Sequence, residues 1–149
     1  MHRLDGLDLA ILDELRRDGR LANSVLAQRI GLTPAPCLRR VRRLEDIGII
    51  TGYRAVVDPA AVGRGCEVMI EVDITANDAH TVAAFENAVV ELDEVTEFRR
   101  LLGRPDYLIR VNVSDIAAYE EFLSQRLGRV PGLKSIESHQ TMKLVKGEM

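Results

Sequence analysis

The sequence predicts an α+β chain in two parts, three helices and a ribbon followed by a ferredoxin-like βαββαβ sandwich. Three observations carry this. Apolar residues recur at helical spacing through the first 46 positions, strict alternation replaces that period from residue 67, and the charge changes sign between the halves. Residues 1–57 hold ten arginines against seven acids, whereas residues 58–149 hold ten basic side chains against sixteen acids. The expected boundaries are a helical domain at 1–50, a connecting ribbon at 51–65 and the sandwich at 66–149.

Leu4, Leu7, Ile11, Leu12 and Leu15 fall on one helical face, with Asp5 and Asp8 in the first turn, where the helix dipole favours anions. This first helix ends near Gly19. Asn23 or Ser24 suits the cap of a second helix bearing Val25, Leu26 and Ile30, and Gly31 then permits a sharp turn. In the next segment, "TPAPCLRRVRRLE", Thr33 suits an N-cap and Pro34 the first helical position; Pro36 disfavours helical angles at Ala35, so the regular helix is expected at Pro34 or Pro36. Cys37, Leu38, Val41 and Leu44 form its dry side. Arg39 and Arg43 point away, flanked by Arg40 and Arg42. The following "GIITGYRAVVDP" reads as a two-stranded ribbon turning at Gly52.

In the second half, Val68, Ile70, Val72 and Ile74 alternate with polar residues as a half-buried strand does. Val82, Phe85, Val89 and Leu92 mark a helix from about His80. "VTEFRRLL" and "YLIRVNV" flank the turn "GRPD" as a hairpin, and Ser114 or Asp115 caps a helix carrying Ile116, Tyr119, Phe122, Leu123 and Leu127. A last strand is expected over residues 134–145. Two helices cover only one face of four strands, so the other face, with its apolar side chains, calls for a partner.

A short helix, a glycine turn and a cationic second helix make the helix-turn-helix plan, whose second helix enters the DNA major groove. Arginine suits both phosphate and guanine edges. A charge run is otherwise a solvated helix face, but here Glu45 and Asp46 are the nearby acids and the turn context favours DNA. Other classes find less support. His2, His80 and His139 stand apart, Cys37 lies on the dry face, and no phosphate loop or nucleophile elbow occurs, so an enzyme is not expected. A sensor acting only through protein contacts would leave the arginine helix unexplained. Cys37 and Cys66 suggest neither a disulfide nor a metal centre, and no cofactor is expected. No apolar run suits a membrane span or signal peptide, so a cytoplasmic protein is expected, and with the DNA expectation a nucleoid-associated one.

Residues 4–64, "LDGLDLAILDELRRDGRLANSVLAQRIGLTPAPCLRRVRRLEDIGIITGYRAVVDPAAVG", resemble the DNA-binding half of the Lrp/AsnC (leucine-responsive, feast/famine) transcription regulators, and "TPAPCLRRVRRLE" is closest to the leucine-responsive branch. The resemblance implies a winged helix-turn-helix joined to an effector and assembly domain of the regulator-of-amino-acid-metabolism (RAM) type. That domain dimerises by its sheet and in relatives assembles to tetramers, octamers or discs. The DNA-contacting set it implies is Thr33, Pro34, Pro36, Arg39, Arg40, Arg42, Arg43 and Arg54. "GRPDY", Gly103–Tyr107, corresponds to the family's Gly-x-x-Asp-Tyr segment at the amino-acid effector site between dimers, which puts Gly103, Arg104, Asp106 and Tyr107 at the ligand. The same residues also suit a plain hairpin turn. Arg100, His139, Gln140 and Thr141 are expected to line or abut this site; their polarity departs from what leucine would need and suggests a polar or charged amino acid, or relaxed specificity. The implied function is regulation of amino-acid metabolism genes through double-stranded DNA, as a homodimer or larger assembly.

Overall fold

A computed structural model describes residues 3–146. The chain divides into two compact units, with the boundary between Ala55 and Val56, inside the connecting segment.

The first unit holds α1 (Gly6–Arg17), α2 (Asn23–Arg29) and α3 (Pro34–Asp46). Ile11, Leu26, Ala27, Cys37 and Leu44 are its fully buried centre, ringed by Leu4, Leu12, Leu15, Val41 and Ile47. Asp5 proves to be the N-cap of α1 rather than part of its first turn. Its carboxylate accepts the Asp8 N–H at 2.9 Å, while the Asp5 N–H donates to Asp8 at 3.1 Å, a reciprocal capping box. The cap of α2 is Ala22, not Asn23 or Ser24. Asn23 instead donates its side-chain amide to the Pro34 carbonyl at 2.8 Å, pinning the start of α2 to the start of α3. Between them the chain turns through Gly31, whose φ of 72° is a left-handed value that a Cβ disfavours. The helix α3 begins at Pro34, with Thr33 as its extended N-cap.

Three expectations for the first half of the chain fail. Leu38 is exposed, because it lies about 100° round the helix from Cys37 while Val41 and Leu44 return to the same stripe. Val25 is exposed for the same kind of reason. Nor do residues 48–59 pair as a ribbon. The Ile49 and Ile50 N–H groups both donate to the Leu44 carbonyl, closing the end of α3, and a two-stranded ribbon without further cover is marginal in water. Tyr53, Val56 and Val57 are left exposed.

The second unit runs β1 (Cys66–Ile74), α4 (Ala79–Val90), β2 (Val95–Arg100), β3 (Tyr107–Val113), α5 (Ile116–Gln125) and β4 (Leu133–Gln140), with single 3₁₀ turns at Ala60–Val62 and Leu127–Arg129. The antiparallel sheet has the order β2-β3-β1-β4, the ferredoxin-like arrangement. Asp78 and Asp115 cap α4 and α5. Val68, Ile70, Val72, Ile109 and Val111 meet Val82, Phe85, Val89 and Phe122 of the helices in one core. Phe85 lies 4.9 Å from the Tyr107 ring and 6.0 Å from Phe98; burying one such ring contributes about 1.5–3 kcal/mol. Ile116 is exposed rather than in this core, and β4 ends at Gln140, short of the predicted Val145.

The other face of the sheet differs from expectation. Its apolar members are Met69 and Leu108, both half-buried, among a lattice of charges in which Arg110 meets Glu97 at 2.8 Å and Glu67 at 3.7 Å, and Arg99 pairs with Glu97. Strand alternation explains why: the residues alternating with Val68, Ile70 and Val72 are Glu67, Met69, Glu71 and Asp73.

Candidate nucleic-acid interface and effector site

Helix α3 presents four arginines that the fold divides into two pairs. At about 100° per residue, Arg40 and Arg43 lie on one flank of the Cys37–Leu44 stripe, facing the start of α1, and Arg39 and Arg42 lie on the far side. Arg40 reaches Asp5 and Asp8 at 2.8 Å each, and Arg43 reaches Asp8 at 2.5 Å. The Asp8 side chain is 1% exposed. Burial alone would raise its carboxyl, but the Asp5 N–H and the two guanidinium groups outweigh that and hold it below the usual carboxylate range.

The expectation that Arg40 and Arg43 are simply outward-facing DNA contacts is therefore corrected: both clamp α3 to the N-terminus of α1. Sequence carried a signal for this, the i,i+3 spacing of both Asp5/Asp8 and Arg40/Arg43, which puts each pair on one helix flank. Among the described residues, no hydrogen bond or ion pair engages the side chain of Arg39 or Arg42, and both are exposed. Thr33 and Pro34 are exposed at the head of α3, and Pro36 is half-buried. Arg39, Arg40 and Arg43 border, with Pro36, Leu32 and Asp5, a cleft of about 470 Å³ at that end of the helix. Arg54 lies exposed on the irregular segment after α3. Cys37 is fully buried, and burial pushes its thiol pKa up, which suits packing rather than nucleophilic chemistry.

The eight expected effector residues do not converge. The "GRPDY" turn joins β2 to β3 at the Ile74 end of β1, with Gly103 at φ 118° and a cis peptide at Arg104-Pro105. Asp106 is engaged within the fold: its carboxylate accepts the Ile74 N–H at 3.0 Å and the Asn77 amide at 3.2 Å. The Ile74 bond, then that of Asn77, holds its carboxyl low. Tyr107 is wholly buried, its hydroxyl donates to Glu86 at 2.9 Å, and burial with that bond pushes its pKa up to about 12. Its ring is core, not ligand contact. Arg104 lies 3.8 Å from Asp73, and Arg100 lies 3.9 Å from Glu86 on the helix-covered side. His139, Gln140 and Thr141 stand at the opposite end of the sheet, for Gln140 pairs with Val68 whereas Tyr107 pairs with Val72. Four residues of strand separate them, roughly 13 Å. Thr141 is held there by Glu67, its hydroxyl donating at 2.7 Å. His139 faces Glu71 and Glu137 at 3.8 Å each, and these three place ligand atoms within 4.8 Å of one another on the open face.

Comparison with known proteins accounts for both units. The model described as Winged helix-turn-helix DNA-binding matches residues 4–51, and that described as Lrp/AsnC ligand binding domain matches residues 67–149. The chain belongs to the Lrp/AsnC family. Members are DNA-binding transcription regulators with an amino-acid-binding domain, not enzymes, and this Lrp/AsnC chain carries both parts. It is 38% identical to the Leucine-responsive regulatory proteins of Klebsiella pneumoniae and Escherichia coli K12 over 143 residues, 96% of its own length and 87% of theirs. A Neisseria meningitidis transcriptional regulator solved as an L-Met complex superposes with a TM-score of 0.93 at 34% identity, over 98% of this chain and 94% of that one. An AsnC family regulator from Agrobacterium tumefaciens gives 0.90 at 34% identity, over 97% and 94%. Among the described residues of this Lrp/AsnC regulator, no helix is long and apolar enough to cross a membrane.

Proposed function

We propose that this chain is a cytoplasmic, nucleoid-associated regulator that binds double-stranded DNA as a homodimer or larger assembly and responds to a polar amino acid at the "GRPDY" turn. The observation that carries the DNA reading is the exposed Arg39 and Arg42 pair, held outward by a helix whose opposite flank is anchored through Asp8. Thr33, Pro34 and Arg54 extend that surface, while Arg40 and Arg43 set its angle. Two such helices about 34 Å apart in a dimer fit successive major grooves.

Assembly is supported by the open sheet face, where the Arg110 Nε is buried yet lacks a hydrogen-bond partner, and by the exposed Tyr53, Val56 and Val57. The effector reading is supported by a turn whose Gly103 backbone leaves room for close approach: a Cβ built there meets nothing within 4 Å. With Asp106 and Tyr107 engaged inside the fold, the turn offers backbone N–H groups and Arg104, and the ligand's remaining contacts come from another subunit. Residues 139–141 of a neighbouring copy are candidates for that role.

The test is fluorescence anisotropy with the protein's own upstream DNA across a salt series. The double variant Arg39→Ala/Arg42→Ala is expected to lower the slope of log K against log salt by about two, at about 0.9 per phosphate contact. An unchanged slope overturns the DNA surface. Calorimetric titration with individual amino acids tests the effector; tight leucine binding with no response to polar amino acids overturns the ligand class.

A further inference from the structure

A second cleft, far from the "GRPDY" turn, carries chemistry that neither the DNA surface nor the turn uses. It lies in the second unit where the start of β2, the end of β3 and α5 meet the residues preceding β1, and it measures about 510 Å³, within the usual range of small-ligand sites. On its wall, Glu94 Oε1 accepts a hydrogen bond from Arg126 Nη1 at 2.6 Å. The other oxygen, Oε2, is buried without any partner. Buried carboxylate oxygens in native folds are almost always satisfied, so one left open beside a cavity calls for a donor from outside the chain.

The charges around the cleft balance: Arg64, Arg126, Glu94 and Glu121 all line it, Arg126 and Glu94 as a bonded pair. A cleft built for phosphate would carry surplus cations, and one built for a polyamine surplus acids; two of each suit a ligand that is itself both. Arg126 has five N–H donors and uses Nη1 on Glu94, leaving the rest of its fork for a carboxylate. Val113, Ala118 and Phe122 supply an apolar wall beside these charges.

We propose that this cleft binds a free α-amino acid, its ammonium on Glu94 Oε2, its carboxylate on Arg126 and Arg64, and its side chain against Val113, Ala118 and Phe122. The site is separate from the turn, which lies at the other end of the sheet: the turn is linked to Ile74, whereas the Val113 of this cleft pairs with Cys66. Its occupant also touches the segment that leads from the first unit into β1. Arg64 donates to the Asp93 carbonyl at 2.9 Å and its own carbonyl accepts the Asn112 amide at 3.4 Å, so a ligand bridging Arg64 and Glu94 restrains the end of that connection.

The test is a titration of the full-length protein, followed by amide NMR, with each common amino acid and separately with putrescine and inorganic phosphate. At least one amino acid is expected to move the Gly63, Arg64 and Ser114 resonances, with putrescine and phosphate giving no such shift. Glu94→Gln keeps an acceptor for Arg126 but removes the charge, and is expected to weaken that binding at least tenfold. Ser114→Trp, at an exposed position, fills the cleft and is expected to abolish it, which keeps the test decisive if Glu94→Gln fails to fold. Shifts confined to Gly103–Tyr107, wild-type affinity in both variants, or equal binding of putrescine or phosphate would each overturn the proposal. The first of these outcomes would leave the turn as effector site intact.

Discussion

Replacing Asp8 by asparagine tests the division of the arginines directly. Asp8 accepts from Arg40 at 2.8 Å and from Arg43 at 2.5 Å, and completes the capping box with Asp5. Asparagine has the same size but offers one acceptor oxygen and no charge, and its NH₂ faces a guanidinium. Hydrogen bonds to charged groups contribute about 1.5–3 kcal/mol and neutral ones about 0.5–1.5 kcal/mol. Breaking a fully buried ion pair costs about 3–5 kcal/mol. That upper range does not apply, because the Arg40 and Arg43 side chains are 29% and 47% exposed and turn to water when released. The expected loss is about 2 kcal/mol. In urea at neutral pH, with an m-value of about 2 kcal/mol/M, the midpoint of the first unit falls by about 1 M at unchanged m. Circular dichroism and the Tyr53 signal report it. The same change releases two guanidinium groups near the DNA surface, so the salt slope of DNA binding is expected to steepen. A variant within about 0.5 kcal/mol of the wild type, with an unaltered slope, would refute the clamp.

Other outcomes follow from the same geometry. Gly103→Ala puts a side chain at φ 118° and is expected to cost about 1–3 kcal/mol in urea unfolding, because strain there does not depend on space. Tyr107→Phe removes the bond to Glu86 and is expected to cost about 1 kcal/mol, with the core spectrum retained. Asp8 and Asp106 both have folded pKa values below the unfolded one, so the stability they contribute is fully present above about pH 4 and is lost as pH falls through the folded values. Thermal melts between pH 7 and pH 3 should show that fall on the acid side, and Asp106→Asn should flatten part of it.

Much of the fold was legible because the periods of α-helices and strands are local properties of the chain. The stripe from Ile11 to Leu15, the alternation from Val68 to Ile74, the Pro34 start and the Gly31 turn each follow from neighbours within a few residues. Leu38 and Val25 have the right hydrophobicity and lie one step off the buried stripe, where packing angle rather than residue type decides, and Ile116 is exposed at the first position of α5. The ribbon at 48–59 failed because its first amides close α3. For the candidate site, the four-arginine surface was visible and its partition was not. The turn was visible too, but not that Asp106 and Tyr107 face inward.

By itself the sequence determined the order of elements, the βαββαβ topology and the placing of four guanidinium groups on one helix, since each depends on backbone preference and periodicity. Only the tertiary structure decided which of those groups are engaged: Asp8 meets Arg40 and Arg43 across 32 and 35 residues of chain, a pairing set by how α1 crosses α3. It likewise decided that residues 139–141 stand at the far end of the sheet from the turn, because strand register, unlike strand propensity, is fixed by contacts between distant segments.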